Sequence, residues 1–280
     1  MSMLTVVAEA AGIPAFYLGI AMAVSVALAA AAGVLRRGLP LGQRLALGER
    51  PQILLTIGGV GLMAWAAVPL TISATVPHAR QEPTSPGVLA LGNGAAELAT
   101  LIALAAATLL LRPGGWRRLG LGLSRLPAGL LGGILGILIV LPWVFWSEVA
   151  TQQAWSRLHL PHEAAHQLLL ALGNTSAWWL RVVIVVTAVA VAPLAEEMFF
   201  RGHIQTFLRY GLKRPWPAIV LAALAFAAVH PWWMSPPIFL LGLCLGYAYE
   251  RTGNLWTNVT MHALFNLTSI VIYARFSMPG

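Results

Sequence analysis

The chain has 280 residues, 59% of them hydrophobic and only 9% charged, with a mean hydropathy of +0.78; soluble domains carry about 25% charged residues, so a soluble globular protein is excluded and an integral membrane protein is implied. The formal charge of +8 sits in short loops between apolar runs, where membrane orientation accounts for it, and no basic tail or aromatic-interleaved basic patch is left to bind nucleic acid. The absence of any Asp excludes aspartyl intramembrane proteases and aspartate proton relays, and the single Cys244 excludes an intramolecular disulfide or a cysteine-based zinc cluster.

Taken in chain order, the apolar runs predict an all-α, polytopic transmembrane bundle of about eight spans. They fall at 13–35, 52–76, 87–111, 128–150, 178–208, 216–231, 237–250 and 255–274, using roughly 20 apolar residues per span as the guide. Arg36, Arg37, Arg44 and Arg50 follow the first run. Arg112, Arg117, Arg118 and Arg125 follow the third, Arg209, Lys213 and Arg214 the fifth, and Arg251 the seventh. The even loops hold mainly Arg80, Arg157 and Arg181, so the odd loops are expected to be cytoplasmic and both termini outside. Residues 1–127 are Ala-, Leu- and Gly-rich with few polar groups, and read as N-terminal scaffold helices. Residues 128–280 read as a second membrane domain, with its polar motifs in 190–270.

The polar excursion at 151–177 contains the segment PHEAAH, with His162, Glu163 and His166 in the HExxH spacing. On a helix this spacing sets two imidazoles one turn apart, the zinc and general-base arrangement of many metalloproteases. It lies outside the spans, and the aspartate ligand of site-2-type intramembrane zinc proteases is missing. A short outer-surface helix near the entrance is therefore the favoured expectation, with the active site elsewhere.

Ionisable groups inside a bilayer are costly and mark functional positions. Glu97 stands alone in the third span, and no role is assigned to it. The fifth span carries AEEMFFRG, the sixth ends in FAAVH, and the eighth holds HALFN. Glu197 and Arg201 are spaced i,i+4 and share a helix face, which predicts an ion pair. Glu196 is rotated about 100° away and is left as the reactive carboxylate. His262 and Asn266 are also i,i+4. At about 1.5 Å rise per residue, Glu196, His230, His262 and Asn266 lie roughly 16–24 Å from assumed cytoplasmic edges, in one layer. His203 is expected to reach an interface. The GxxxG of Gly242 and Gly246 is expected to mark tight helix packing, and Trp178, Trp179, Trp232 and Trp233 to anchor at the interface.

Peptide hydrolysis needs an activated water and stabilisation of the developing oxyanion. Glu196 with His230 fits the first need, and His262 with Asn266 the second. In the alternative, Glu196, His230 and His262 hold zinc, which lowers the pKa of its water. These residues alone leave both routes open. A non-catalytic adaptor or immunity-type protein is a rival function, as is a proton-coupled transporter. The intact polar set argues against the first, and the lack of evident repeats against the second.

The ordered motifs EExxxR, FxxxH and HxxxN on successive spans resemble the CAAX-protease and bacteriocin-processing (CPBP) family of intramembrane endopeptidases, related to the CAAX prenyl endopeptidases. The surrounding words EEMFFRGHIQTFL, LAALAFAAVH and FLLGLCLGYAYERTGNLWTNVTMHALFN carry the same likeness, over about 190–270. The resemblance implies an all-helical membrane core and peptide-bond hydrolysis within the membrane. It further implies Glu196, His230, His262 and Asn266 as catalytic residues, with Glu197, Arg201 and Phe226 supporting them. The expected partners are a membrane protein or peptide substrate and the lipid bilayer. The breadth of the family and the excess of Arg over Lys favour a bacterial plasma membrane.

Overall fold

The computed structural model describes residues 15–31, 50–75, 85–161, 163 and 165–276. His162 of the HEAAH segment, together with Arg36, Arg37, Arg44 and Arg80, lies outside the described residues. The long helices are α1 (Ala15–Ala31), α2 (Pro51–Thr75), α3 (Pro86–Leu111) and α5 (Leu126–Arg157), with the short α4 (Gly115–Leu119) between the last two. After α6 (Gln167–Asn174) comes the long α7 (Trp178–Leu212), then α8 (Pro215–Ala228), α9 (Ser235–Thr252) and α10 (Leu255–Phe276). No strand occurs among the described residues. Each predicted apolar segment overlaps a helix, but among the described residues four helical stretches, not eight, are long and apolar enough to cross a membrane.

Many large apolar side chains face outward, including Leu62, Met63, Leu110, Leu131 and Val271. This is the pattern of a bundle whose solvent is lipid. Burial of apolar area does not drive helix association there, so close packing and interhelical hydrogen bonds must hold the bundle together. Glycines supply the packing. α5 lies along α10 through Gly129, Gly133 and Gly136, where a methyl group would collide with Trp256, Thr260 and Met261 respectively.

α7 departs from a plain α-helix in two places, Thr187–Val191 and Met198–Gln205, where the turn widens to π geometry. Pro193 lacks an N–H and interrupts the ladder after the first. In the second, side chains bond five residues back: Thr206 Oγ1 donates to Arg201 O at 2.9 Å, and His203 Nδ1 meets Met198 O at 2.7 Å. His203 is fully buried and also contacts Thr108 Oγ1 at 3.2 Å. The expectation that His203 reaches an interface is therefore corrected, because the widened turn swings its ring inward onto α3.

The Gly242–Gly246 stripe of α9 does more than pack. Arg201 Nη2 donates to Gly242 O at 3.3 Å, and Gln205 Nε2 donates to Gly246 O at 3.0 Å. On its other side Gly242 touches Ala223 of α8, where a Cβ would lie 3.1 Å from the Ala223 Cβ. Trp178, Trp179 and Trp232 are exposed at helix ends, in keeping with interfacial placement, while Trp233 is half-buried and its carbonyl accepts from Trp155 Nε1 at 3.0 Å.

Candidate active site

The two adjacent glutamates of α7 separate as the helix period requires. Glu197 is fully buried, and its Oε1 receives Arg201 Nη1 at 2.8 Å. The same Oε1 lies 3.1 Å from His262 Nδ1, while Oε2 accepts from Asn258 Nδ2 at 3.3 Å. Asn258 Nδ2 also reaches Leu245 O at 2.7 Å. One carboxylate thus ties α7 to α10, and Arg201 and Asn258 extend the tie to α9 through backbone carbonyls. Both oxygens of the Glu197 carboxylate are hydrogen-bonded, as a buried charge requires, while Arg201 Nε and Asn258 Oδ1 are left without a partner.

Glu196 has the opposite character. Its Oε2 is buried without a hydrogen-bond partner and lies 3.8 Å from His262 Nε2. It faces a cavity of about 290 Å³ whose wall also includes His230, His262 and Asn266. The structure therefore brings the four residues singled out for catalysis to one cavity.

Phe226 forms the aromatic side of this cavity. Its ring packs against His230 at 4.7 Å between centroids and edge-on against His262 at 5.7 Å, and the Arg201 guanidinium sits 4.5 Å from its centre. Phe226 O accepts from His230 Nδ1 at 2.7 Å. A carbonyl only accepts, so His230 carries a proton on Nδ1 and, when neutral, offers the Nε2 lone pair. His262 is set the same way, with Nδ1–H directed at the Glu197 carboxylate. Asn266 spends one amide proton on Ala188 O at 2.7 Å and keeps the other.

Other groups in the wall escaped the motif reading. Glu97 of α3 lines the cavity within electrostatic range of Glu196. Glu148 lines it from α5, with Gln152 donating to it at 2.8 Å one turn on. Glu148 and Gln152 have the same i,i+4 spacing that singled out Glu197 and Arg201, and that spacing is the signal that could have found them. Asn258, four residues before His262, extends the polar face of α10 in the same way. Gly61 and Trp65 of α2 join Glu97 in the wall, so the N-terminal helices contribute directly to the cavity.

The described residues of HEAAH, Glu163, Ala165 and His166, are not helical. Glu163 and His166 lie in the chain before α6, and His166 caps that helix instead of entering it. The expected short helix begins at Gln167, one residue beyond the motif, so His166 caps it from outside its first turn. His166 itself lines the cavity. Among the described residues, no three His, Cys or Glu side chains converge as a metal site. Glu196, His230 and His262 share a cavity wall without converging as a three-residue ligand set.

The comparisons with known proteins match the part of the chain that carries these motifs. Residues 176–268 match the family model described as type II CAAX prenyl endopeptidase Rce1-like. An uncharacterized protein of Bacillus subtilis (strain 168), YpbD, is 38% identical over 73 residues, covering 26% of this chain and 36% of that protein. The match thus spans about a third of the relative's length. No solved structure matches the chain. The matched segment contains Glu196, Glu197, Arg201, Phe226, His230, His262 and Asn266. By these motifs and this match, residues 176–268 are similar to the type II CAAX prenyl endopeptidases, within a chain of apolar helices long enough to cross a membrane.

Proposed function

We propose that the protein is an intramembrane endopeptidase that hydrolyses peptide bonds of membrane-associated proteins or peptides. The observation that carries this reading is the contrast between the two glutamates. Glu197 is fully engaged, whereas Glu196, whose buried Oε2 has no hydrogen-bond partner, lines a cavity together with His230 and His262. Such a carboxylate can accept a proton from water.

In this reading Glu196 deprotonates a water that the His230 Nε2 lone pair helps to orient. The new C–O bond forms at the peptide carbonyl, and its electron pair moves onto oxygen. Asn266 offers its remaining amide N–H to that oxygen. His262 can do so from Nε2 only as the imidazolium, because its Nδ1–H is committed to Glu197. Collapse breaks the C–N bond, and the departing amine takes the proton held by Glu196.

The match to CAAX prenyl endopeptidases makes a peptide with a prenylated cysteine near its carboxyl terminus the first substrate class to test. The apolar lining, including Leu62, Phe145, Ile184 and Phe199, suits an alkyl chain. We take the host to be a bacterial plasma membrane, a view supported by the Arg-biased composition and the Bacillus relative. The test is cleavage of quenched peptides, with and without a farnesylated cysteine, by the protein in liposomes. Wild type is expected to cleave and Glu196→Gln to be inactive while folded. Equal cleavage by both would refute the role of Glu196, and no cleavage of any peptide by wild type would favour an adaptor role.

A further inference from the structure

The HEAAH segment contributes Ala165 and His166 to the cavity, and the tautomer of His166 is fixed by the fold. The Leu168 N–H donates to His166 Nδ1 at 3.3 Å, capping α6. A ring nitrogen that accepts a hydrogen bond carries no proton, so the neutral ring holds its proton on Nε2. Burial holds the His166 imidazole below its usual range, with the Glu163 carboxylate opposing, so the neutral form prevails at neutral pH.

The other two imidazoles of the cavity have the reverse polarity. His230 and His262 each commit Nδ1–H elsewhere and, when neutral, turn a lone pair outward from Nε2. Among the described histidines of the cavity wall, His166 alone is set to donate from Nε2 in its neutral form. It stands within electrostatic range of His230. Its position is held by α6, whose Ala171 and Leu172 are buried against Ala90, Leu180, Ile184 and Ile270. At the far end of α6, a Cβ on Gly173 would lie 2.6 Å from the Tyr273 hydroxyl, so α6 and α10 are in close contact.

From this geometry we propose that His166 is a further catalytic residue, whose Nε2–H donates a hydrogen bond to the carbonyl oxygen of the scissile peptide. The proposal rests on the endopeptidase reading above. The bond strengthens as the oxygen gains charge, and no proton is transferred through it. When the C=O re-forms and the amine leaves, His166 is unchanged. The motif thus supplies an electrophilic contact and not a metal ligand.

The test uses full-length protein in liposomes with the same panel of quenched peptides. His166→Asn keeps an oxygen that can cap α6 but lacks the imidazole donor, and His166→Ser is a second capping variant. His166→Gln restores an amide N–H with longer reach. Both capping variants are expected to keep the wild-type thermal midpoint while kcat falls about 100-fold and KM holds, the signature of a contact made in the transition state. His166→Gln is expected to recover part of kcat. Wild-type kcat in either capping variant overturns the proposal, as does a fall in KM-dependent binding with kcat unchanged. Glu196→Gln is measured alongside: activity surviving there overturns the endopeptidase site, whereas an inactive Glu196→Gln beside a fully active His166→Asn overturns only the role of His166.

Discussion

Arg201 Nη1 and Glu197 Oε1 meet at 2.8 Å, with side-chain exposures of 1% and 0%. A buried ion pair is costly to break from one side, because the surviving charge loses its partner in a medium that cannot solvate it. Arg201→Met is therefore expected to destabilise the protein by about 3–5 kcal/mol. Adding Glu197→Gln to Arg201→Met should recover part of the loss. Thermal midpoints in detergent, measured for the two single variants and the double variant, check both statements.

Glu196 carries a different expectation, since its Oε2 makes no hydrogen bond that the fold needs. Glu196→Gln should lower kcat by at least about 100-fold, the lower range for loss of a general base. Its thermal midpoint should match wild type. A stable variant that keeps more than a tenth of the activity would move the base elsewhere in the cavity.

His230 and His262 should separate stability from activity. His262 is buried and bridges Glu196 and Glu197, whereas His230 is bonded only to the carbonyl of its own helix. His262→Ala leaves Glu197 short of a donor and is expected to cost about 1–3 kcal/mol as well as cleavage. His230→Ala is expected to lose cleavage with a smaller drop in thermal midpoint. Melting and turnover measured on the same preparations would expose a reversed order.

The absence of a converging ligand set among the described residues leads to a further expectation. Cleavage should persist after prolonged treatment with a strong zinc chelator, and elemental analysis of active protein should find zinc well below one equivalent. Activity that is lost to the chelator and restored by zinc would reinstate Glu196, His230 and His262 as ligands.

Much of the site could be read from the sequence because i,i+4 spacing is a property of the helix itself. Glu197 with Arg201, and the turn-to-turn placement of His262 and Asn266, needed no tertiary information. The wall contributed by Glu97, Glu148 and His166 depended on how distant helices pack, which no local period encodes. The HEAAH spacing misled for a related reason. It carries chemistry only if the segment is helical, and the helix starts just beyond it, with His166 as the cap. The second role of His262, as a donor to Glu197 from one nitrogen while facing Glu196 from the other, was also invisible until α7 and α10 were side by side.

The paired bonds from Arg201 and Gln205 to the carbonyls of Gly242 and Gly246 work like a two-toothed key. Both helices use the same four-residue interval, and they run in the same direction. The teeth therefore engage together or not at all. Sliding one helix by a single residue shifts it about 1.5 Å and turns the donors about 100° off their seats. No intermediate register keeps one tooth in place. Bilayers of different thickness can tilt such a unit as a whole, but they cannot shear Glu196 along α9 without unlocking both bonds. The depth of Glu196 is thus set by protein meshing with protein, and lipid chain length should change how the bundle sits without changing how the cavity is assembled.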